Sequence, residues 1–87
     1  MKSRTTRQFR EIYVALPADV QRRADEAYVL WQANPGHPSL RFKLIDREDQ
    51  IYSARIDRGY RVLGARQNDT MIWFWIGKHE VYDRILN

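Results

Sequence analysis

The run Met71-Ile72-Trp73-Phe74-Trp75-Ile76 constrains this chain more than any other stretch, because no polar side chain interrupts it and it is far too short to span a membrane. Bracketed by Gln67-Asn68-Asp69 before it and Gly77 after it, the run suits a strand covered on both faces. Such a strand needs neighbours on either side and a layer packed over it. The rest of the chain has to supply them.

The neighbours are legible upstream. Tyr60 to Arg66 reads as a strand joined to the apolar run through the Gln67-Asn68-Asp69 corner. Ile51 to Ile56 reads as another, turned back by Asp57-Arg58-Gly59. Leu40, Phe42 and Leu44 alternate with Arg41 and Lys43 after an irregular His37-Pro38, which predicts a first strand, followed by the charged connection Asp46 to Gln50. Corners this short imply antiparallel pairing.

The covering layer comes from the N-terminal third. Thr5 or Thr6 can cap a helix whose Phe9, Ile12, Tyr13 and Leu16 share one face, and Pro17 ends it. The same proline can open a second helix, with Val20, Ala24, Ala27, Tyr28 and Trp31 as its apolar stripe and Asn34-Pro35-Gly36 as its stop. At the other end, His79 to Leu86 has helical spacing, with Val81, Tyr82, Ile85 and Leu86 as the packing face. The expected architecture is a single α+β domain over residues 1–87: a helical hairpin on an antiparallel sheet of three to four strands, closed by a short C-terminal helix. No edge strand is expected ahead of the first helix.

Composition narrows the classes of function. The absence of cysteine excludes a disulfide framework and a thiolate zinc site, and points to a reducing, cytoplasmic setting. The N-terminus lacks the apolar region of a signal peptide, and no membrane partner is expected. A net charge of +4 on 87 residues favours an anionic partner, either nucleic acid or an acidic protein surface.

Several polar residues are candidates for chemistry. Arg55 and Arg61 flank the Asp57-Arg58-Gly59 corner; on a common face they would form a clamp for phosphate or carboxylate, and otherwise they are solvated strand arginines. Their register is not readable from sequence. His79 follows a strand end, with Lys78 and Tyr82 close by; it is either a proton-transfer group or a surface histidine. His37 reads as a loop residue, and two histidines this far apart predict no metal site. Trp31, Trp73 and Trp75 can stack bases or fill a core. Phosphate-binding glycine loops and Gly-x-Ser-x-Gly elbows are absent.

Taken in order, Leu16-Pro17, Asn34-Pro35, Tyr52-Ser53-Ala54-Arg55, Gly59-Tyr60-Arg61-Val62-Leu63 and Gly77-Lys78-His79 with Tyr82 resemble the RelE/ParE superfamily, small toxins of bacterial type II toxin–antitoxin systems. The resemblance implies a microbial RNase-like fold and, for RelE-like members, cleavage of mRNA on the ribosome without a cofactor. It implies Arg61, His79 and Tyr82 as catalytic residues and Arg55 and Lys78 as RNA or phosphate contacts. Its implied partners are a cognate antitoxin and the ribosome with its mRNA. ParE-like members share the scaffold but poison DNA gyrase, so the alternatives are a gyrase inhibitor or a toxin homologue that binds an antitoxin without cleaving RNA. Ser53, where some ribosome-dependent members carry a second lysine, keeps those alternatives open. A nonspecific nucleic-acid binder, with affinity falling steeply in salt, is a third.

Overall fold

In the computed structural model, which describes the backbone of residues 1–86 and the side chains of residues 1–84, Thr6 starts the first helix, α1 (Arg7–Val14). Its hydroxyl accepts the Phe9 amide at 3.1 Å, satisfying a donor that the first turn leaves open. Pro17 caps the second helix, α2 (Ala18–Ala33), its carbonyl accepting from the amides of Val20 and Gln21, each at 3.0 Å. The Gln21 side chain then reaches back to the Tyr13 carbonyl at 2.9 Å, so the two helices are tied across their corner. Asn34 ends α2 at the predicted breakers.

The next segment departs from expectation. Leu40 belongs to a 3-10 turn, Pro38–Leu40, and not to a strand. Proline is well placed in a first helical turn, and the His37 ring nitrogen accepts the Ser39 amide at 3.2 Å. The turn drives Leu40 into the core at 2% exposure, and Arg41 leaves it with φ 44°. Strand β2 therefore begins late, at Lys43–Asp46. Strands β3 (Ile51–Arg55), β4 (Tyr60–Gln67) and β5 (Thr70–Lys78) follow, then helix α3 (His79–Leu86). Gly77 does not interrupt β5, which runs on through Lys78.

The α+β class, the helical hairpin and the short C-terminal helix are as expected, but a further strand, β1 (Lys2–Thr5), precedes α1, and the sheet has five strands in the order β1-β5-β4-β3-β2 and is not purely antiparallel. The unexpected strand is β1 (Lys2–Thr5), which pairs parallel to β5 with Ser3 opposite Met71 and Thr5 opposite Trp73. Its polar sequence has no apolar alternation to reveal it. Backbone bonds flank it instead, the Lys2 amide on the Asp69 carbonyl and the Thr6 amide on the Trp73 carbonyl. Short, charged edge strands resist further pairing, which is why such a sequence serves here.

A bulge shapes the interior of the sheet. Gly64 pairs with Trp73 while the adjacent Leu63 pairs with Trp75, leaving Phe74 as the extra residue. Before the bulge, Met71 and Trp73 face the helices; after it, Ile76 does, and Trp75 turns to the opposite face with Leu63. Trp73 and Trp31 meet edge to face at 5.1 Å, and Phe42 meets Trp31 at 5.9 Å. Leu40 and Met71 complete that buried cluster, with Phe9, Ala27, Leu30, Tyr52 and Val62 packed around it. Of the α3 face expected to pack, Tyr82 is buried and Val81 is exposed; the side chains of Ile85 and Leu86 lie outside the described residues.

Gly64 is the tight point of this core. A Cβ there would lie 2.6 Å from Cε3 of Trp73 and 2.7 Å from Sδ of Met71, both buried. Gly64→Ala is expected to destabilise the fold by about 1–3 kcal/mol through overpacking. Gly36→Ala, whose Cβ would meet nothing closer than 3.6 Å, is the control expected to leave stability unchanged or slightly raised. Urea unfolding of the two variants beside the parent protein checks the pair.

Candidate phosphate-binding site

Period-two alternation sends one side of β3, β4 and β5 to the helical hairpin and leaves the other for chemistry. The β3–β4 register makes Arg55 and Arg61 direct cross-strand partners, so their side chains leave the sheet on the same face. Ser53 and Leu63 pair on that face one step further in, and Gly77 stands opposite Arg61 on the next strand. Trp75 lies across Gly77, where a Cβ would come within 2.5 Å of Cζ2 of the ring. The tryptophans thus divide: Trp31 and Trp73 are core, and Trp75 is half-buried on the face that carries the arginines.

The turn between β3 and β4 holds the arginine pair in place. One carboxylate oxygen of Asp57 accepts the amides of Gly59 at 2.7 Å and Tyr60 at 3.0 Å, and the other pairs with Nε of Arg23 on α2. Burial alone would push the Asp57 carboxyl up; Arg23 and the two amides outweigh it and hold the group below the ordinary carboxylate range. The Asp57 carbonyl in turn accepts Nη1 of Arg61 at 3.1 Å, and the Tyr60 carbonyl accepts it at 3.3 Å. Arg61 is therefore positioned through backbone oxygens, and among the described residues no carboxylate forms an ion pair with it.

Electrostatically this is a frustrated spot. Burial and then the neighbouring Arg55 guanidinium lower the pKa of Arg61, with Arg41 adding to the effect and Tyr82 and Asp83 opposing it. Arginine stays charged near neutral pH regardless, so the site carries a partly buried charge that also faces a second guanidinium. An anion between them would relieve that cost. Among the described residues, neither Arg55 nor Arg61 forms an ion pair with an acidic side chain.

Helix α3 supplies the remaining groups. The His79 amide donates to the Gly59 carbonyl at 2.7 Å, which fastens the start of the helix to the same turn. His79 and Tyr82 lie with ring centroids 6.4 Å apart, and Nδ1 of His79 is 3.2 Å from Asp83. Tyr82 is buried at 8% exposure, with Arg61 in electrostatic range. Arg55, Arg61, His79 and Tyr82 thus gather around one turn. Lys78 does not join them: it pairs with Tyr60, one residue out of phase with Arg61, so alternation sends it to the hairpin side of the sheet.

Two residues near Arg61 were not anticipated, Arg41 and Asp83. The four-residue spacing from His79 to Asp83 is a helical neighbour signal that could have found the second. Nothing local marks Arg41, whose place depends on the 3-10 turn before it. On the hairpin side of the sheet, a cavity of about 650 Å³ lies between α1, α2 and the strands, lined by Phe9, Tyr13, Trp31, Trp73 and Ile76 among others. Its walls are mostly apolar, with Arg4, Arg10, Asp25 and Arg55 also contributing to the lining. Among the described residues, no group of three or more His, Cys, Asp or Glu is placed to hold a metal ion, and no helix is long and apolar enough to cross a membrane.

Residues 18–84 match the ParE-like toxin domain, and the chain belongs to that family, within the RelE/ParE toxins of toxin–antitoxin systems. The fold is similar to RelE in the RelB–RelE complex from Methanococcus jannaschii, with a TM-score of 0.71 and 18% identity over 92% of this chain and 95% of that one. It is similar to the RelBE2 toxin–antitoxin complex from Mycobacterium tuberculosis, at 0.69 and 22% over 90% and 96% of the two chains. YafQ from E. coli gives 0.70 with 10% identity over 93% and 96%. No curated protein sequence gives a match.

Because Asp57 anchors the turn that carries the arginines, its removal should be felt as lost stability with a defined pH dependence. Its lowered pKa means the carboxylate stabilises the fold above the unfolded-state value of about 3.9, and that this contribution disappears as pH falls through the lower folded-state value. Asp57→Asn is expected to cost about 1–3 kcal/mol at neutral pH, through the amide bonds and the Arg23 pair. Thermal melts of both proteins should show the gap closing in acid. A gap that is the same at pH ~7 and pH ~3 would contradict the assignment.

Proposed function

We propose that this toxin is an endoribonuclease that cuts mRNA on the ribosome and is held inactive by a cognate antitoxin. The observation that supports the reading best is the cross-strand pairing of Arg55 with Arg61 on one face, with no ion-paired acidic side chain among the described residues and with Tyr82 and His79 beside them. RNA carries its own nucleophile, so the protein has to align it, move protons and neutralise charge. In the proposed reaction the 2′-hydroxyl oxygen bonds to the adjacent phosphorus while the bond from phosphorus to the 5′-oxygen breaks. The 2′-proton passes to a base and the departing oxygen gains a proton, leaving a 2′,3′-cyclic phosphate and a 5′-hydroxyl.

Arg61 is assigned to the phosphorane, whose extra negative charge sits best against a guanidinium already fixed by two carbonyls. Arg55 binds the same phosphate in its ground state. His79, whose ring lies at the open end of α3, is assigned to proton transfer, and the Tyr82 hydroxyl orients the substrate. No cofactor enters this scheme. Lys78, on the other side of the sheet by register, is assigned to a more distant RNA contact.

Purified protein added to ribosomes carrying mRNA is expected to cut within the codon being decoded. Arg61→Ala should slow cutting by about 10²–10³, the usual cost of removing a charge-stabilising donor. His79→Phe should abolish cutting as well, and Tyr82→Phe, which keeps the buried ring, should reduce it without unfolding the protein. Intact mRNA together with inhibited gyrase supercoiling would overturn this reading in favour of a ParE-like target.

A further inference from the structure

One arginine bears on the site from the helical layer without belonging to it. Arg23 of α2 commits its guanidinium to two carboxylates: Nη2 lies 3.1 Å from Asp19, one turn back on the same helix, and Nε pairs with Asp57 on the β3–β4 turn, 34 residues away in the chain. Two acids around one base leave that cluster negative, so it has nothing to offer a phosphate. Its role follows from what Asp57 holds.

Residues 57–60 act as a joint. Asp57 accepts the amides of Gly59 and Tyr60 on its side chain and Nη1 of Arg61 on its carbonyl, while the Gly59 carbonyl accepts the His79 amide. Arg61 on β4 and the start of α3 are thus both referenced to the same four residues. Among the described residues, the bond from Arg23 is the single side-chain tie between the helical hairpin and that turn. Packing does not replace it: Arg58 and Gly59 are exposed, and a Cβ on Gly59 would meet only an oxygen of Asp57, at 3.7 Å.

We propose that Arg23 is a positioning residue: by holding the Asp57 turn against α2 it fixes the direction of the Arg61 guanidinium and the start of α3, so the anion face depends on where a helix of the opposite layer lies. Its effect on cutting rests on the RNA reading above. Arg55 takes no part in these bonds and still meets the phosphate in its ground state. Loss of Arg23 therefore falls on the step that needs Arg61 more than on binding.

The test uses Arg23→Gln, which removes the charge from a side chain that is 40% exposed, where an ion pair adds little to stability; the variant is expected to fold, and a thermal melt checks it. In the free protein, amide hydrogen exchange at Tyr60 and His79 should quicken about tenfold while that of Trp73 stays as in the parent. On ribosomes carrying mRNA, single-turnover cutting at saturating protein should slow about tenfold, less than in Arg61→Ala. Affinity for an uncleavable 2′-O-methyl hexanucleotide should change less than about twofold, with the slope of log K against log salt unchanged, whereas removing a phosphate contact would reduce that slope by about 0.7. In an Asp57→Asn background, Arg23→Gln should add no further slowing, because the two act through one bond.

Exchange at Tyr60 and His79 that matches the parent protein, or slowing that persists undiminished in the Asp57→Asn background, would refute the positioning role and leave the RNA reading intact. A reduced salt slope would refute it too, making Arg23 a phosphate contact. If the parent protein cuts no mRNA, the RNA reading fails, and hydrogen exchange alone decides whether Arg23 holds the turn.

Discussion

The fold hangs on Trp73. Its ring occupies the space above Gly64, meets Trp31 edge to face, and lies in one cluster with Leu40 and Met71, so a single side chain joins the sheet to α2 and to the turn ahead of β2. A Trp–Trp contact of this geometry contributes about 0.5–1.5 kcal/mol beyond the area it buries. Its larger effect is positional. With Trp73 committed to the hairpin side, Gly64 has to be the residue opposite it, and the β4–β5 register is set from there.

That register carries through to the candidate site. Once β4 is placed, Arg61 faces away from the helices, the tight Asp57 turn returns the chain with Arg55 beside it, and the amide of His79 closes on the Gly59 carbonyl. Apolar packing and anion chemistry are thereby divided between the two faces of a single sheet. A basic site fares well on the more solvated face, since buried guanidinium groups without partners would cost several kcal/mol each. The bonds positioning Arg61 come from carbonyls, which orient it while leaving its charge available.

Much of this was legible in the chain. Pro17 and Asn34-Pro35-Gly36 marked the helical hairpin because breakers act locally, and the three later strands showed themselves between turn residues, the last of them as an uninterrupted apolar run. Arg55 and Arg61 could be nominated but not paired, since cross-strand register depends on a turn geometry that residue types alone leave open. Strand β1 was invisible for a different reason: Lys2-Ser3-Arg4-Thr5 is held by backbone bonds to β5, and its side chains carry no pattern. Leu40 looked like a strand residue because it, Phe42 and Leu44 alternate in sequence with Arg41 and Lys43, although Leu40 ends a 3-10 turn and the strand starts only at Lys43. Arg41 was read as an ordinary outward strand residue, and Lys78 was grouped with His79 by proximity in sequence, which a strand's alternation overrides.

The extra residue at Phe74 has a consequence for how this chain can vary. The bulge absorbs Phe74 so that Trp73 and Ile76 both face the hairpin; regular alternation over the same number of residues would send Trp75 toward the helices, Ile76 away from them, and the start of α3 off the Asp57 turn. Length changes inside β5 are therefore not local events. Related chains should tolerate added or lost residues in the Asp46 to Gln50 connection, where only a turn is affected, and hold the spacing from Trp73 to Tyr82 constant even where the residues themselves are exchanged.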